Sequence, residues 1–462
     1  MTTTYDPHHP VYLDETDLRA EFGRVFDLCH GCRLCFNLCP SFPSLFGAVD
    51  AHDGQVALLT AGEQDRVVDE CYQCKLCYLE CPYVPPHDWQ LDFPRLMTRA
   101  HAVRAARPGR PIPTQLSDQF LGRTDLLGRL ATTAAPLVNA VTGRLGSFPR
   151  KAMQKAVGIH AERVLPPYAK QRFTTWFKGR RMRALEAPRA EVALFPTCFV
   201  EYMEPAIGRD LVAVLERNDV ACTLAEPARC CGAPWLHGGD VARFTEAARR
   251  NVAVLAGEVR AGRDVVVAQP TCAYVIRRDY PIYAPGADAD LVAAHAFDAS
   301  EYLMLQHRRD GGGLDTSFEG AVPETVVYHL ACHLRAQNVG FKGRDLIRLT
   351  GATVQLVARC SGIDGTWGYR AENYELARKV ARPLIRELDS STAEVVCGDC
   401  HLANTAIAQE TGRRPMHPVQ LLARAYGISE GQGRREESGK SLERGRSEES
   451  GRSERTGRTG GR

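Results

Sequence analysis

Eight of the seventeen cysteines in this chain form two copies of one pattern. The first copy is Cys29-x2-Cys32-x2-Cys35-x3-Cys39-Pro40, and the second is Cys71-x2-Cys74-x2-Cys77-x3-Cys81-Pro82. Thiolates are soft ligands for iron, and this spacing with its trailing proline holds a pair of [4Fe–4S] clusters. The first three cysteines of a run take one cluster, and the fourth crosses to the other. One cluster is therefore expected on Cys29, Cys32, Cys35 and Cys81, and the other on Cys71, Cys74, Cys77 and Cys39. The crossing sets the clusters side by side, so the unit should pass single electrons. A disulfide framework would instead need an oxidising compartment and usually a small secreted domain. The 462 residues open Met1-Thr2-Thr3-Thr4 without a basic n-region or an apolar h-region, so reduced thiols are expected. Structural zinc prefers paired Cys-x2-Cys units across a longer gap.

Nine further cysteines follow, and eight of them fall into two sets. The first set is Cys198, Cys230, Cys231 and Cys272, and the second is Cys332, Cys360, Cys397 and Cys400. Each set is expected at strand ends or in the loops after them, where ligands converge on one edge of a parallel sheet. Four thiolates suffice for a [4Fe–4S] cluster or for tetrahedral zinc, and spacing alone does not separate the two. Gly232 and Gly362 follow the paired position, where close backbone approach to a cluster favours a residue without Cβ. His329 and His333 flank Cys332. Either could hydrogen-bond a cluster sulfur, supply a proton or serve as a ligand, or be satisfied by backbone. Arg335 could hold an anionic group or form a salt bridge. His237 reads as structural, and Cys222, in an expected strand, as a buried free cysteine.

The length suggests two to four domains, and the periodicities divide them. Residues 12–100 carry the two cysteine runs. Leu18, Phe22, Val25 and Phe26 share one helical face, and about 31 residues between the runs leave room for a helix and loop. A helical two-[4Fe–4S] ferredoxin domain is expected there. Residues 101–190 have no cysteine and read as a helical linker, entered through the Pro- and Arg-rich stretch 107–114. Leu126, Leu127, Leu130, Leu137, Val138, Val141 and Leu145 recur on a helical period interrupted at Pro136. This face is expected to pack on the protein's own core, the alternative being a membrane or partner contact. Phe173, Trp176 and Phe177, with Lys178, Arg180 and Arg181, fit either account.

From residue 191 strands alternate with helices, which implies parallel sheets. Strands are expected at 191–197, 220–224, 265–268 and 326–329, with a helix through Ile207 to Leu215 that ends at Asn218-Asp219. The block repeats. Strands run into Cys198 and Cys332, Gly343-Arg344-Asp345-Leu346 echoes Gly208-Arg209-Asp210-Leu211, and Cys360-Ser361-Gly362 parallels Cys230-Cys231-Gly232. Two similar α/β domains are expected, at 191–310 and 322–428, packed about a pseudo-two-fold axis. The fold class is thus α+β and multidomain. From 429 to 462 the chain is nearly all Gly, Arg, Ser and Glu, which predicts a disordered tail.

Several classes are excluded. A net charge of +3, evenly mixed, does not argue for nucleic acid. No apolar run approaches bilayer-spanning length, so a cytoplasmic protein, peripheral on the membrane at most, is expected. No Gly-x-Gly-x-x-Gly follows a strand, so neither flavin nor NAD is indicated.

The Cys-Cys-Gly element, its flanking strand cysteine and the later Cys397-x2-Cys400 resemble the cysteine-rich domain found in the B subunit of heterodisulfide reductase. Two ferredoxin runs, a helical linker and two Cys-Cys-Gly domains are, in that order, similar to the family of the C subunit of anaerobic glycerol-3-phosphate dehydrogenase. The phrases Thr197-Cys198-Phe199-Val200, Cys230-Cys231-Gly232-Ala233-Pro234, Cys332-His333, Gly365-Thr366-Trp367-Gly368-Tyr369 and His417-Pro418 carry this resemblance, which spans about residues 24–426. It implies an electron conduit between a flavoprotein partner and a membrane quinone. Heterodisulfide reductase relatives instead cleave disulfides at clusters held by five cysteines per site. Here Gln269 and Ser361 stand where two of those cysteines would be, so each set is one thiolate short. A four-thiolate cluster fits better. The Cys-Ser-Gly form resembles a branch that implies a rubrerythrin-like protein as an alternative partner.

Three functions follow as expectations. The first is an iron–sulfur electron-transfer subunit of an oxidoreductase complex, whose cofactors carry the redox work while the protein sets distance, potential and docking. The second is a reductase acting directly on a disulfide or quinone at the Cys-Cys-Gly sites. The third is a redox-sensing or scaffold protein with zinc in the α/β sites.

Overall fold

The computed structural model describes residues 5–181, 183, 185–309, 313–363 and 365–429. The expected tail lies, apart from Ser429, outside the described residues.

The N-terminal unit is helical. Asp14 caps α1 (Glu15–Cys32) by accepting from the Asp17 amide, and Leu18, Phe22, Val25 and Phe26 are buried on one side. Arg33, in the left-handed region, stops the helix by donating its N–H to the Cys29 carbonyl. The helix end thereby delivers Cys29 and Cys32 to the following loop. Between the cysteine runs lie α2 (Ser41–Ala51) and α3 (Ala61–Asp69), the latter started by a Thr60–Glu63 capping box. After α4 (Leu76–Glu80), α5 (Phe93–Ala106) closes the unit. Phe22 stacks on Phe26 at 5.0 Å and Phe42 meets Phe93 at 4.7 Å, which gives the unit its own aromatic core.

The linker forms α6 (Ile112–Gly122), α7 (Thr124–Thr133), α8 (Ala135–Thr142), α9 (Phe148–Val157) and α10 (Phe173–Gly179). The expected core packing of its leucine stripe is corrected here. Leu126, Leu130 and Leu137 are 50%, 61% and 69% exposed. The break at Ala134, before Pro136, lets the two helices share no single buried face, and only Leu127, Leu130 and Val138 reach the wall of a partly open cavity. Phe173 and Phe177 behave differently. Both are buried in the core of the first α/β domain, and the Arg180 guanidinium lies 4.2 Å from the Phe177 ring centroid.

Two parallel sheets follow. The first has the order β2-β1-β3-β4, with β1 (Ala190–Leu194), β2 (Val220–Leu224), β3 (Asp264–Val267) and β4 (Ala296–Asp298). The second has the order β6-β5-β7, with β5 (Thr325–His329), β6 (Thr353–Val357) and β7 (Val395–Gly398). Every pairing is parallel. The shared order β2-β1-β3 and β6-β5-β7 is the structural form of the sequence repeat. In each sheet the strand between those two flanking strands leads into the first cysteine of its set, Cys198 or Cys332. Apolar side chains alternate between two cores, Ala193 and Val265 on one face and Val192 and Val266 on the other, as expected of a sheet covered on both sides. The last helix, Pro418–Ala425, returns to the first domain and buries Val419, Leu422 and Ala423 in its core.

Candidate metal centres

No disulfide joins any of the seventeen cysteines. Cys29, Cys32, Cys35 and Cys81 line one cavity, walled by Phe46 and Leu91. Burial pushes the Cys29 thiol far up, and the neighbouring Cys35, Cys81 and Cys32 add to it. Cys35 is pushed up to about 12 by burial, then by Cys81 and Cys32. Cys39, Cys71, Cys74 and Cys77 line a second cavity. Burial raises Cys77, and Cys74, Cys39, Cys71 and Cys35 raise it further. The fourth cysteine of each run thus lies with the first three of the other. Cys35 stands close enough to Cys77 to connect the two groups. Crowded buried thiols repel one another once ionised, and a bound cationic cluster removes that penalty by taking them as thiolates. This donor set fits iron–sulfur ligation.

The first α/β set also converges. Thr197 caps the short helix Cys198–Tyr202 and places Cys198 at its start. Cys230 is held well below the usual thiol range by hydrogen bonds from Cys198 and Cys231, whereas the same contacts raise its two partners. Cys272 is buried beside them. The backbone of the pair is pinned: Asn251 donates to the Cys230 carbonyl at 3.2 Å and Tyr280 to the Cys231 carbonyl at 3.0 Å. Asp125 accepts from the Cys230 amide at 3.0 Å and from the Tyr202 hydroxyl at 3.1 Å. Burial, then Cys230, pushes the Asp125 carboxyl up to about 6. All four thiols line a cavity of 440 Å³ whose other walls include Leu127, Leu130, Val138, Met153, Phe199 and Tyr369.

The second α/β set is brought together only in part. Cys332, Cys360 and Cys400 line one cavity with His329, His333 and Ser361. Cys397 is fully buried instead within the domain core beside Val326, Leu330 and Leu421. It lies inside β7, too early along the strand to face the loop edge. Arg335 pairs with Glu80 of the N-terminal unit at 3.7 Å, so the salt-bridge alternative describes it. His333 Nδ1 meets the Thr271 hydroxyl at 3.1 Å. Cys222 is buried in β2 away from all four groups, and His237 is half-buried with its ring centroid 6.4 Å from that of His333.

Packing alone requires Gly232 and Gly362 to lack a Cβ. Both have positive φ, +88° and +68°. A Cβ on Gly232 would lie 2.9 Å from the Phe244 ring, and one on Gly362 would lie 2.0 Å from the Ala377 carbonyl oxygen. Packing of the ligand loops on neighbouring helices excludes a side chain at both positions.

Three of the cavities share walls. Tyr72 and Cys74 line both the second N-terminal cavity and the second α/β cavity. Burial, then Cys360, Cys74 and Cys39, raises the Tyr72 phenol. Trp367 packs on Tyr72 at 5.2 Å and donates its indole N–H to the Asp69 carbonyl at 2.7 Å. Thr271 in turn lines both α/β cavities. Gln269 donates its amide to Cys400 Sγ at 3.6 Å and accepts from the His401 amide at 3.3 Å. A residue that replaces an expected cysteine in one repeat therefore contacts a ligand candidate of the other. The signal for it was present, as a break in the cysteine pattern. Nothing in the spacing pointed to Tyr72 or Asp125. Among the described residues no three His, Cys, Asp or Glu side chains are grouped tightly enough to hold a single ion.

This arrangement defines an iron–sulfur protein of the oxidoreductase class that works in electron transport. Residues 20–107 match the family described as citrate utilization protein B Fer4-like domain, and residues 192–277 and 326–403 match the cysteine-rich domain. The C subunit of anaerobic glycerol-3-phosphate dehydrogenase from Escherichia coli (strain K12) is 31% identical over 318 residues, 67% of this chain and 77% of the relative. The chain belongs to that family. The B subunit of fumarate reductase (CoM/CoB) from Methanothermobacter marburgensis is 24% identical over 52% of this chain and 47% of its own length. Lactate utilization protein A of an Exiguobacterium strain is 24% identical over 52% of this chain and 97% of its own. No helix among the described residues is long and apolar enough to cross a membrane.

Proposed function

We propose that the chain is a four-cluster electron conduit, with clusters on the two N-terminal cysteine groups and on both α/β sites. The observation that carries the reading is the set of four thiol-lined cavities, the last three of which share walls. When bound, the clusters supply one-electron steps. The chain's residues fix their order: Cys35 beside Cys77 relates the first pair, Tyr72 and Cys74 lead to the second α/β site, and Thr271 and Gln269 lead to the first.

The 440 Å³ cavity at the end of this series supports an apolar acceptor such as a quinone. Its walls are mostly hydrocarbon, which suits an uncharged ring better than a charged disulfide. Its linker wall continues outward into exposed Leu126, Leu130, Leu137 and the 84% exposed Phe148. That face supports peripheral attachment to a membrane surface. At the other end, the N-terminal unit would receive electrons from a flavoprotein dehydrogenase or a rubrerythrin-like protein.

The deciding measurement is iron and acid-labile sulfide on the anaerobically purified full chain, with EPR. About sixteen irons with matching sulfide is the expected result, four per cluster. About eight irons with bound zinc would limit electron transfer to the N-terminal unit and overturn the conduit. For the acceptor, Ala131→Trp fills the cavity. Electron exchange with a water-insoluble naphthoquinone should fall while ferricyanide reduction persists, and an equal response of both would remove the cavity from the path.

A further inference from the structure

The second α/β site presents three thiols where the first presents four. The repeat aligns Cys332 with Cys198, Cys360 with Cys230, and Cys400 with Cys272, but sets Ser361 against Cys231. Cys397, the remaining cysteine of the segment, is buried in the domain core and does not line the cavity. The same alignment, counted back three residues from Cys332 and Cys198, sets His329 against Phe195. The repeat that lost a thiol carries an imidazole where its counterpart carries a hydrocarbon ring.

We propose that His329 Nδ1 is the fourth ligand of the second α/β cluster, with Cys332, Cys360 and Cys400 as the other three. His329 ends β5 at the carboxyl edge of the sheet, is 1% exposed, and lines the cavity of the three thiols. Its Nε2 lies 3.0 Å from the Arg359 carbonyl oxygen. A carbonyl oxygen only accepts, so Nε2 carries the proton and Nδ1 carries the lone pair. Nδ1 is buried and has no hydrogen-bond partner among the described residues. A buried acceptor left unsatisfied is destabilising, and a metal bond satisfies it. Fixing one ring nitrogen on a backbone carbonyl while the other binds metal is the usual way a protein orients an imidazole ligand. Burial, which pushes His329 down to about 4, keeps the ring in the neutral form that ligation requires. Ser361 and His333 also line the cavity. His333 is engaged twice, at Nδ1 by the Thr271 hydroxyl and by a further hydrogen bond to the Gln73 backbone.

The consequence is a site unlike the other three. A neutral imidazole in place of a thiolate lowers the negative charge of the ligand set and raises the reduction potential, as in clusters where histidines replace cysteines on one iron. The second α/β site would then hold electrons more tightly than its neighbours.

The inference rests on the four-cluster reading, and the test separates the two. The full chain is prepared anaerobically with ¹⁵N-histidine, and the EPR component lost in Cys360→Ser is taken as the second α/β site. Pulsed EPR should find one directly coupled ¹⁵N on that component in the wild-type chain, and none in His329→Ala. His329→Cys should keep the iron content, lose the nitrogen coupling and lower the midpoint potential. Cys397→Ser should leave both iron and spectrum unchanged. A component without coupled nitrogen overturns the histidine ligand and leaves the conduit standing, as does loss of the component in Cys397→Ser. If Cys360→Ser removes no component from a correctly folded chain, the second α/β site holds no cluster and both readings fall.

Discussion

Gly362→Ala tests whether the ligand loop is held by packing. Gly362 follows Cys360-Ser361, and its amide donates to Cys360 Sγ at 3.3 Å. Its φ of +68° costs a residue with Cβ about 1–2 kcal/mol. The added Cβ would also sit 2.0 Å from the Ala377 carbonyl oxygen and 3.2 Å from Ala381 Cβ. The first obstacle is backbone, within the Tyr374–Asp389 helix, so no side-chain rotation relieves it. The loop must move away from that helix, an overpacking cost of about 1–3 kcal/mol. The total is about 2–5 kcal/mol. Gly340→Ala is the control: its φ is +80°, and nothing lies within 4 Å of its added Cβ. It should lose only the conformational part, about 1–2 kcal/mol. Anaerobic denaturant unfolding followed by circular dichroism measures both variants. The displaced loop should also change the EPR component assigned to Cys360 in Gly362→Ala alone. Equal stability losses, or a spectral change shared by both variants, would refute the steric argument.

Three further outcomes are expected. Tyr72→Phe removes the hydroxyl that donates to the Leu38 carbonyl at 3.2 Å and lies among Cys360, Cys74 and Cys39; it should shift the potentials of the second N-terminal and second α/β clusters and spare the first N-terminal one, as spectroscopic redox titration will show. His417 is buried and pushed down to about 3 by burial, and its Nδ1 accepts from the Val419 amide at 3.2 Å to cap the last helix. The unfolded state takes up the proton near pH 6.5 and the folded state does not until far lower, so this stability is present above that pH and is lost as pH falls; the loss at pH 5 should reach about 2 kcal/mol, and His417→Asn, which keeps a capping acceptor but cannot titrate, should flatten the dependence in denaturant unfolding. Cys222→Ala should leave iron and sulfide unchanged, because Cys222 is buried in β2 among apolar side chains, and any loss of iron would make it a ligand.

Sequence carried the strongly periodic parts of this structure. The spacing of Leu18, Phe22, Val25 and Phe26 marks α1 because a buried helical face repeats every three to four residues. Four of the seven strands, β1, β2, β3 and β5, could be read because burial on two faces demands continuous apolar runs, whereas the short β4 and the half-exposed β6 gave no such run and β7 was not read. The leucine stripe misled, since helical period reports an apolar face and not what covers it. Cys397 shows a similar limit: residue type shows that a side chain can bind metal, while its position along β7 sets this one in the domain core. Contacts between distant segments were out of reach. Tyr72 against Trp367, and Gln269 against Cys400, exist only because separate domains pack together.

The returning helix Pro418–Ala425 bears on how the duplicated halves relate. Its Val419, Leu422 and Ala423 complete the first domain's core, although they belong to the second repeat. Neither half is then a free-standing module. A chain cut between the repeats would leave a raw apolar surface on the first, so duplication here has ended in mutual dependence. For the two halves to hinge apart, that buried helix would first have to leave the first domain's core.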